Sequence, residues 1–90
     1  MAQETLAFLI ADDHPMVRDA LSSALAQAFA GARIAMAGSL AQVEAALEQE
    51  PETYALLLDL DMPGMDGLTG LGLLRSERPT VPIIVVSAAR

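Results

Sequence analysis

Leu6-Ala7-Phe8-Leu9-Ile10-Ala11-Asp12-Asp13 is the stretch that decides how this chain folds. An unbroken apolar run closed by two aspartates describes a strand covered on both faces, because a half-exposed strand would alternate. Pro15 follows at once and suits the first turn of a helix, where no N–H is needed. Met16-Val17, Ala20-Leu21, Ala24-Leu25 and Ala28-Phe29 then recur at three-to-four spacing. That spacing predicts an amphipathic helix ending near Gly31.

The same order repeats downstream. Arg33 to Ala37 reads as a second strand, broken by Gly38-Ser39. Ser39 with Gln42 makes a capping-box pattern, and a helix is expected from Leu40 to Gln49 with Leu40, Val43, Ala46 and Leu47 inward. Pro51 stops it. Tyr54 to Leu58 is a third strand ending in Asp59. Leu60 to Gly67 carries Pro63, Gly64 and Gly67 and must be loop. Leu68, Leu71 and Leu74 give a third helix, weakened by Gly70 and Gly72. Val81 to Val86 is a β-branched fourth strand running into Ser87. The order βαβαβαβ predicts a doubly wound α/β fold, a parallel sheet with helices on both faces and strand order 2-1-3-4.

Composition narrows the function classes. Ninety residues make one domain at most, and the net charge is −7. A nucleic-acid binder normally carries the opposite sign, so no direct nucleic acid contact is expected from this chain. All five basic residues are arginines and there is no lysine. The aromatics are Phe8, Phe29 and Tyr54, too few for base-stacking platforms. The absence of cysteine excludes disulfides and thiolate chemistry. No run is long enough to span a membrane and the N-terminus lacks a basic signal region, so a cytoplasmic location is expected.

In parallel α/β sheets the ligand site lies at the carboxyl ends of the strands. That rule brings together Asp12 and Asp13, Asp59 and Ser87. The clustered carboxylates repel one another and call for a hard cation such as Mg²⁺. Beside a metal, a carboxylate can act as nucleophile toward phosphorus and form an aspartyl-phosphate. A nearby hydroxyl, here Ser87, can hydrogen-bond the new phosphoryl oxygen.

The motifs Phe8-Leu9-Ile10-Ala11-Asp12-Asp13-His14, Leu57-Leu58-Asp59-Leu60-Asp61-Met62-Pro63-Gly64-Met65-Asp66-Gly67 and Pro82-Ile83-Ile84-Val85-Val86-Ser87-Ala88 resemble the receiver domain of two-component response regulators. The flavour is that of receivers preceding a LuxR-type output domain in transcription regulators. The resemblance implies that Asp59 is the phosphoacceptor and Ser87 the switch hydroxyl. It implies that Asp13 holds Mg²⁺ directly, Asp12 through water, and Asp61 through its main-chain carbonyl. The phosphoryl group would come from a histidine kinase or a small phosphodonor, in a regulatory module and not a conventional enzyme. Receivers continue with a further helix, a fifth strand ending in a lysine and a last helix. The expectation is therefore a receiver of residues 1–90 cut after its fourth strand.

Other readings compete. Asp12-Asp13 alone could be a polar turn capping a helix. His14 reads as an exposed loop residue, the methionines as packing or loop residues, and Glu44, Glu48, Glu50 and Glu52 as a solvated helix face. A phosphorylation-incompetent interaction module is a second hypothesis, because a bare fourth strand would be an apolar edge open to homodimerisation. Asp59-Leu60-Asp61 also resembles the Asp-x-Asp of haloacid-dehalogenase-type phosphatases, although Pro63 stands where those enzymes want Thr or Val. A calcium loop over Asp59 to Gly70 fails on spacing.

Overall fold

The computed structural model describes residues 5–86. Strand β1 spans Ala7–Ala11, helix α1 Pro15–Ala28, β2 Arg33–Ala37, α2 Leu40–Gln49, β3 Ala55–Leu58, α3 Leu68–Glu77 and β4 Ile83–Val85. The sheet is parallel throughout, in the expected order β2-β1-β3-β4. Ser87 lies outside the described residues.

The two central strands carry the core. Every residue of β1 and β3 is buried, which is what their unbroken apolar runs require. Alternate side chains leave on opposite faces. Leu9, Ala11, Leu56 and Leu58 pack with Val43 and Leu47 of α2 and Leu74 of α3. Phe8, Ala55 and Leu57 face the other way, against Leu21 and Leu25 of α1. The α1 side is thinly covered, because none of its residues is fully buried.

Two element ends differ from the sequence reading. Helix α1 stops at Ala28, earlier than Gly31, and Phe29 leaves the helix with extended dihedrals. Its ring then lies 5.0 Å from that of Phe8, and Tyr54 meets Phe8 edge-on at 5.6 Å. Aromatic contact at these separations favours the early exit. Gly31, at φ +79°, makes the turn that follows. Strand β4 is shorter than Val81 to Val86, because its pairing partner is short: Leu56, Leu57 and Leu58 pair with Ile83, Ile84 and Val85.

The capping box forms with one change. Ser39 Oγ accepts from the Gln42 N–H at 3.2 Å, while Gln42 Oε1 accepts from Gly38 N–H and not from Ser39. The loop after β3 docks on this helix start through Leu40 N–H to Pro63 O at 3.0 Å. Gly64 follows at φ +86°, in the left-handed region that glycine enters freely. Met62 and Met65 of this loop are buried in the core, as packing residues.

Candidate functional site

Strand register builds the site. Ala11 pairs with Leu58, so the next residues, Asp12 and Asp59, emerge side by side at the carboxyl ends of β1 and β3. The ladder continues through them: Asp12 N–H donates to Ala37 O at 3.0 Å and Asp59 N–H to Ala11 O at 2.8 Å. Both aspartates are only 2% exposed. Burial of ionised carboxylates is costly unless each is hydrogen-bonded or paired with positive charge.

Part of that compensation is local. Asp59 Oδ1 accepts the backbone N–H of Asp61 at 2.9 Å, so the loop folds back on its own aspartate. Asp12 Oδ1 accepts the backbone N–H of His14 at 2.7 Å. This i to i+2 bond is the turn an aspartate side chain makes readily. It swings the His14 ring over the carboxylates. His14 Nδ1 lies 2.8 Å from Asp12 Oδ1, 3.2 Å from Asp13 Oδ1 and 3.7 Å from Asp59 Oδ2.

The sequence reading of His14 as an exposed loop residue holds, and the structure adds its contacts with the carboxylates. Its side chain is about half exposed, yet it sits in the acidic cluster. The hydrogen bond to Asp12 and then the charge of Asp13 raise its pKa above the ordinary 6.5, against an opposing loss of hydration. The charges of Asp12 and Asp59 add smaller upward contributions.

One ligand atom from each of Asp12, Asp13, His14 and Asp59 falls within a sphere where all are within 4.8 Å of one another. The carboxylate oxygens suit a hard divalent ion completed by water, which is how Mg²⁺ is usually held. Asp13 is the more exposed of the acids, open to direct ligation. The exposed Asp61 contributes its backbone N–H to Asp59. The sequence-derived cluster is thus assembled in its described part, while Ser87 lies beyond residue 86.

Comparison with known proteins agrees with this fold. The family profile described as the response regulator receiver domain matches residues 8–90. The glycerol metabolism activator of Pseudomonas putida is 42% identical over 80 residues, covering 89% of this chain and 36% of that protein. The nitrate/nitrite response regulator protein NarL of Escherichia coli is 34% identical over 89 residues, 97% of this chain and 40% of that protein. The chain thus spans well under half the length of these relatives. Among solved structures, a response regulator receiver protein from Pseudomonas putida superposes with a TM-score of 0.82 at 26% identity, covering 99% of this chain and 73% of that one.

Proposed function

This chain belongs to the response regulator receiver domain family, and from that premise we propose that Asp59 accepts a phosphoryl group in a Mg²⁺-dependent transfer. The observation that carries the reading is the side-by-side emergence of buried Asp12 and Asp59, with Asp13 beside them. In this reading Asp13 ligates the ion directly, Asp12 through water, and Asp61 through its main-chain carbonyl. Ser87 serves as the switch hydroxyl. A bound Mg²⁺ would offset charge on the phosphoryl oxygens during the transfer.

The step balances simply. A lone pair on a carboxylate oxygen of Asp59 forms the new O–P bond. The bond from phosphorus to the donor breaks, P–N for a kinase phosphohistidine and P–O for a small phosphodonor, and its electron pair leaves with the donor, as acetate when acetyl phosphate is used. Asp12 and Asp13 keep Asp59 in an acidic environment that only a cation relieves, so transfer depends on the metal. The Asp61 N–H fixes one Asp59 oxygen, which limits the rotation of the nucleophile.

The donor is a histidine kinase or a small phosphodonor, and the domain acts as a cytoplasmic regulatory module and not as a turnover enzyme. Among the described residues no helix is long and apolar enough to cross a membrane. A net charge of −7 argues against direct nucleic acid contact by this chain. Transcriptional output belongs to the longer proteins it resembles. A second, compatible reading concerns assembly. Ile84 and Val85 on the edge strand β4 are 51% and 45% exposed, which supports homodimerisation through that edge.

The test is incubation of the chain with Mg²⁺ and acetyl phosphate, followed by intact mass. One phosphate adduct is expected, lost with EDTA and lost in Asp59→Asn. A folded wild-type chain that gains no adduct would overturn the reading.

A further inference from the structure

His14 is the chain's one histidine. It occupies the N-cap position of α1, yet its side chain makes no capping hydrogen bond. The ring is therefore not engaged in closing the helix. The backbone around it is held on both sides. Its N–H donates to Asp12 Oδ1 at 2.7 Å, and its carbonyl accepts from the Arg18 N–H at 3.0 Å. Two anchored peptide groups restrict where the side chain can project, and it projects among the carboxylates.

The separations there have the scale of a coordination polyhedron. His14 Nδ1 lies 3.2 Å from Asp13 Oδ1 and 3.7 Å from Asp59 Oδ2. Ligand atoms about 2.0–2.2 Å from one zinc ion stand about 3.3–3.6 Å apart at the corners of a tetrahedron. The two observed separations bracket that edge, so one ion can reach all three atoms with small adjustments. Asp12 Oδ1, at 2.8 Å from Nδ1, is too close for such an edge. Its part is to accept the His14 N–H and hold the residue in place.

Donor type then decides which ion gains. Mg²⁺ keeps oxygen ligands and water, whereas imidazole suits Zn²⁺, Ni²⁺ and Cu²⁺. Carboxylates by themselves do not sort these ions so sharply. We propose that His14 Nδ1 is a direct ligand for borderline divalent ions, beside oxygens of Asp13 and Asp59, and that it sets a preference of this site for Zn²⁺ over Mg²⁺. Zinc takes the place of the proton that Nδ1 otherwise shares with Asp12. Mg²⁺ binds the same carboxylates and leaves the imidazole uncoordinated, so the two ions exclude one another. The assignment rests on the reading of the carboxylate cluster as a cation site.

The test compares wild type with His14→Ala and His14→Gln, with Asp59→Asn as the control for the cluster. A single histidine gives an imidazole ¹⁵N spectrum free of overlap. Titration with Zn²⁺ is expected to move the wild-type Nδ1 resonance to a metal-ligated position, and titration with Mg²⁺ to leave it near its starting value. Calorimetry gives both affinities for each chain. His14→Ala is expected to lower the ratio of Zn²⁺ to Mg²⁺ affinity by roughly tenfold or more, and Asp59→Asn to weaken both ions. The half-exposed ring makes loss of folding an unexpected result. Should His14→Ala not fold, His14→Gln keeps a polar side chain of similar size and is expected to show the same fall in the ratio. A zinc-saturated wild type whose Nδ1 resonance moves no further than with Mg²⁺, or variants with an unchanged ratio, would remove the role of His14 and leave the acidic site standing. Variants that bind both ions more tightly would show the ring to be a counter-ion that metal displaces, which also overturns the proposal. A wild-type chain that binds neither ion would remove the cation-site reading and this inference with it.

Discussion

Gly70 and Gly72 stand two positions apart in α3, and one methyl group added to each is expected to act in opposite directions. A Cβ at Gly70 would lie 2.5 Å from Met65 O and 2.8 Å from Met65 Sδ. Backbone oxygen does not yield cheaply, so the helix start or the Met65 turn must shift. That overpacking costs about 1–3 kcal/mol, more than the ~1 kcal/mol that alanine gains as a helix former. A Cβ at Gly72 meets nothing within 4 Å, so Gly72→Ala should stabilise by about 0.5–1 kcal/mol. Urea denaturation of the two variants decides it, and equal shifts of the same sign would refute the argument. From sequence both glycines read simply as helix weakeners, because a close approach by Met65 is a tertiary fact. His14 reads from sequence as an exposed loop residue and is one, but its contacts with the carboxylates were not legible. Its place depends on the bond from its own N–H to Asp12 Oδ1, and the signal lay in its position two residues after a turn-forming aspartate.

Between α2 and α3 the acidic side chains behave as a pair of elements and not as one solvated face. Glu44 lies in a shallow cleft with Leu47, Glu48, Leu74, Glu77 and Arg78. Loss of hydration first, then a hydrogen bond to Glu77 and its charge, raise the Glu44 pKa above 4.5, with Glu48 adding to it and Arg78 opposing. A carboxyl that binds its proton more tightly folded than unfolded stabilises the fold fully below pH 4.5. That stability is lost as pH rises through the raised value. At neutral pH the ionised Glu44 is therefore a small liability, held by solvent screening to roughly 0.2–0.5 kcal/mol. Glu44→Gln should raise Tm slightly at pH 7 and leave it near wild type at pH 4. A Tm difference independent of pH would contradict this. The helix bounds of α2 were legible because Ser39, Gln42 and Pro51 mark both ends chemically. The end of α1 was not, since Phe29 leaves the helix for an aromatic contact with Phe8, a residue 21 positions earlier in sequence. The Glu44–Glu77 contact was hidden likewise, being set by how two helices lie on one sheet face.

Seen whole, the molecule is a four-stranded sheet with a saturated centre and two unlike edges. Strand order and the meeting of Asp12, Asp13 and Asp59 were readable from sequence, because buried parallel strands announce themselves as apolar runs and end at the site by rule. How open the edges are was a matter of packing. The β2 edge begins with Arg33, which is paired to Glu50. Among the described residues, strand β4 itself carries Ile83, Ile84 and Val85 and no charged side chain. Exposed apolar edges without a charge, a bulge or a cover are templates for another strand. A two-fold dimer would set β4 antiparallel to its copy, which makes the contact self-complementary and closed. The 90-residue chain is therefore expected to associate reversibly as concentration rises. Ile84→Lys places a charge at a half-exposed edge position and should weaken that association about tenfold, or ~1.4 kcal/mol, with little effect on Tm. Sedimentation velocity over a wide concentration range measures both chains. A wild type that stays monomeric throughout, or a lysine variant that associates as well as wild type, would show that β4 is not the contact.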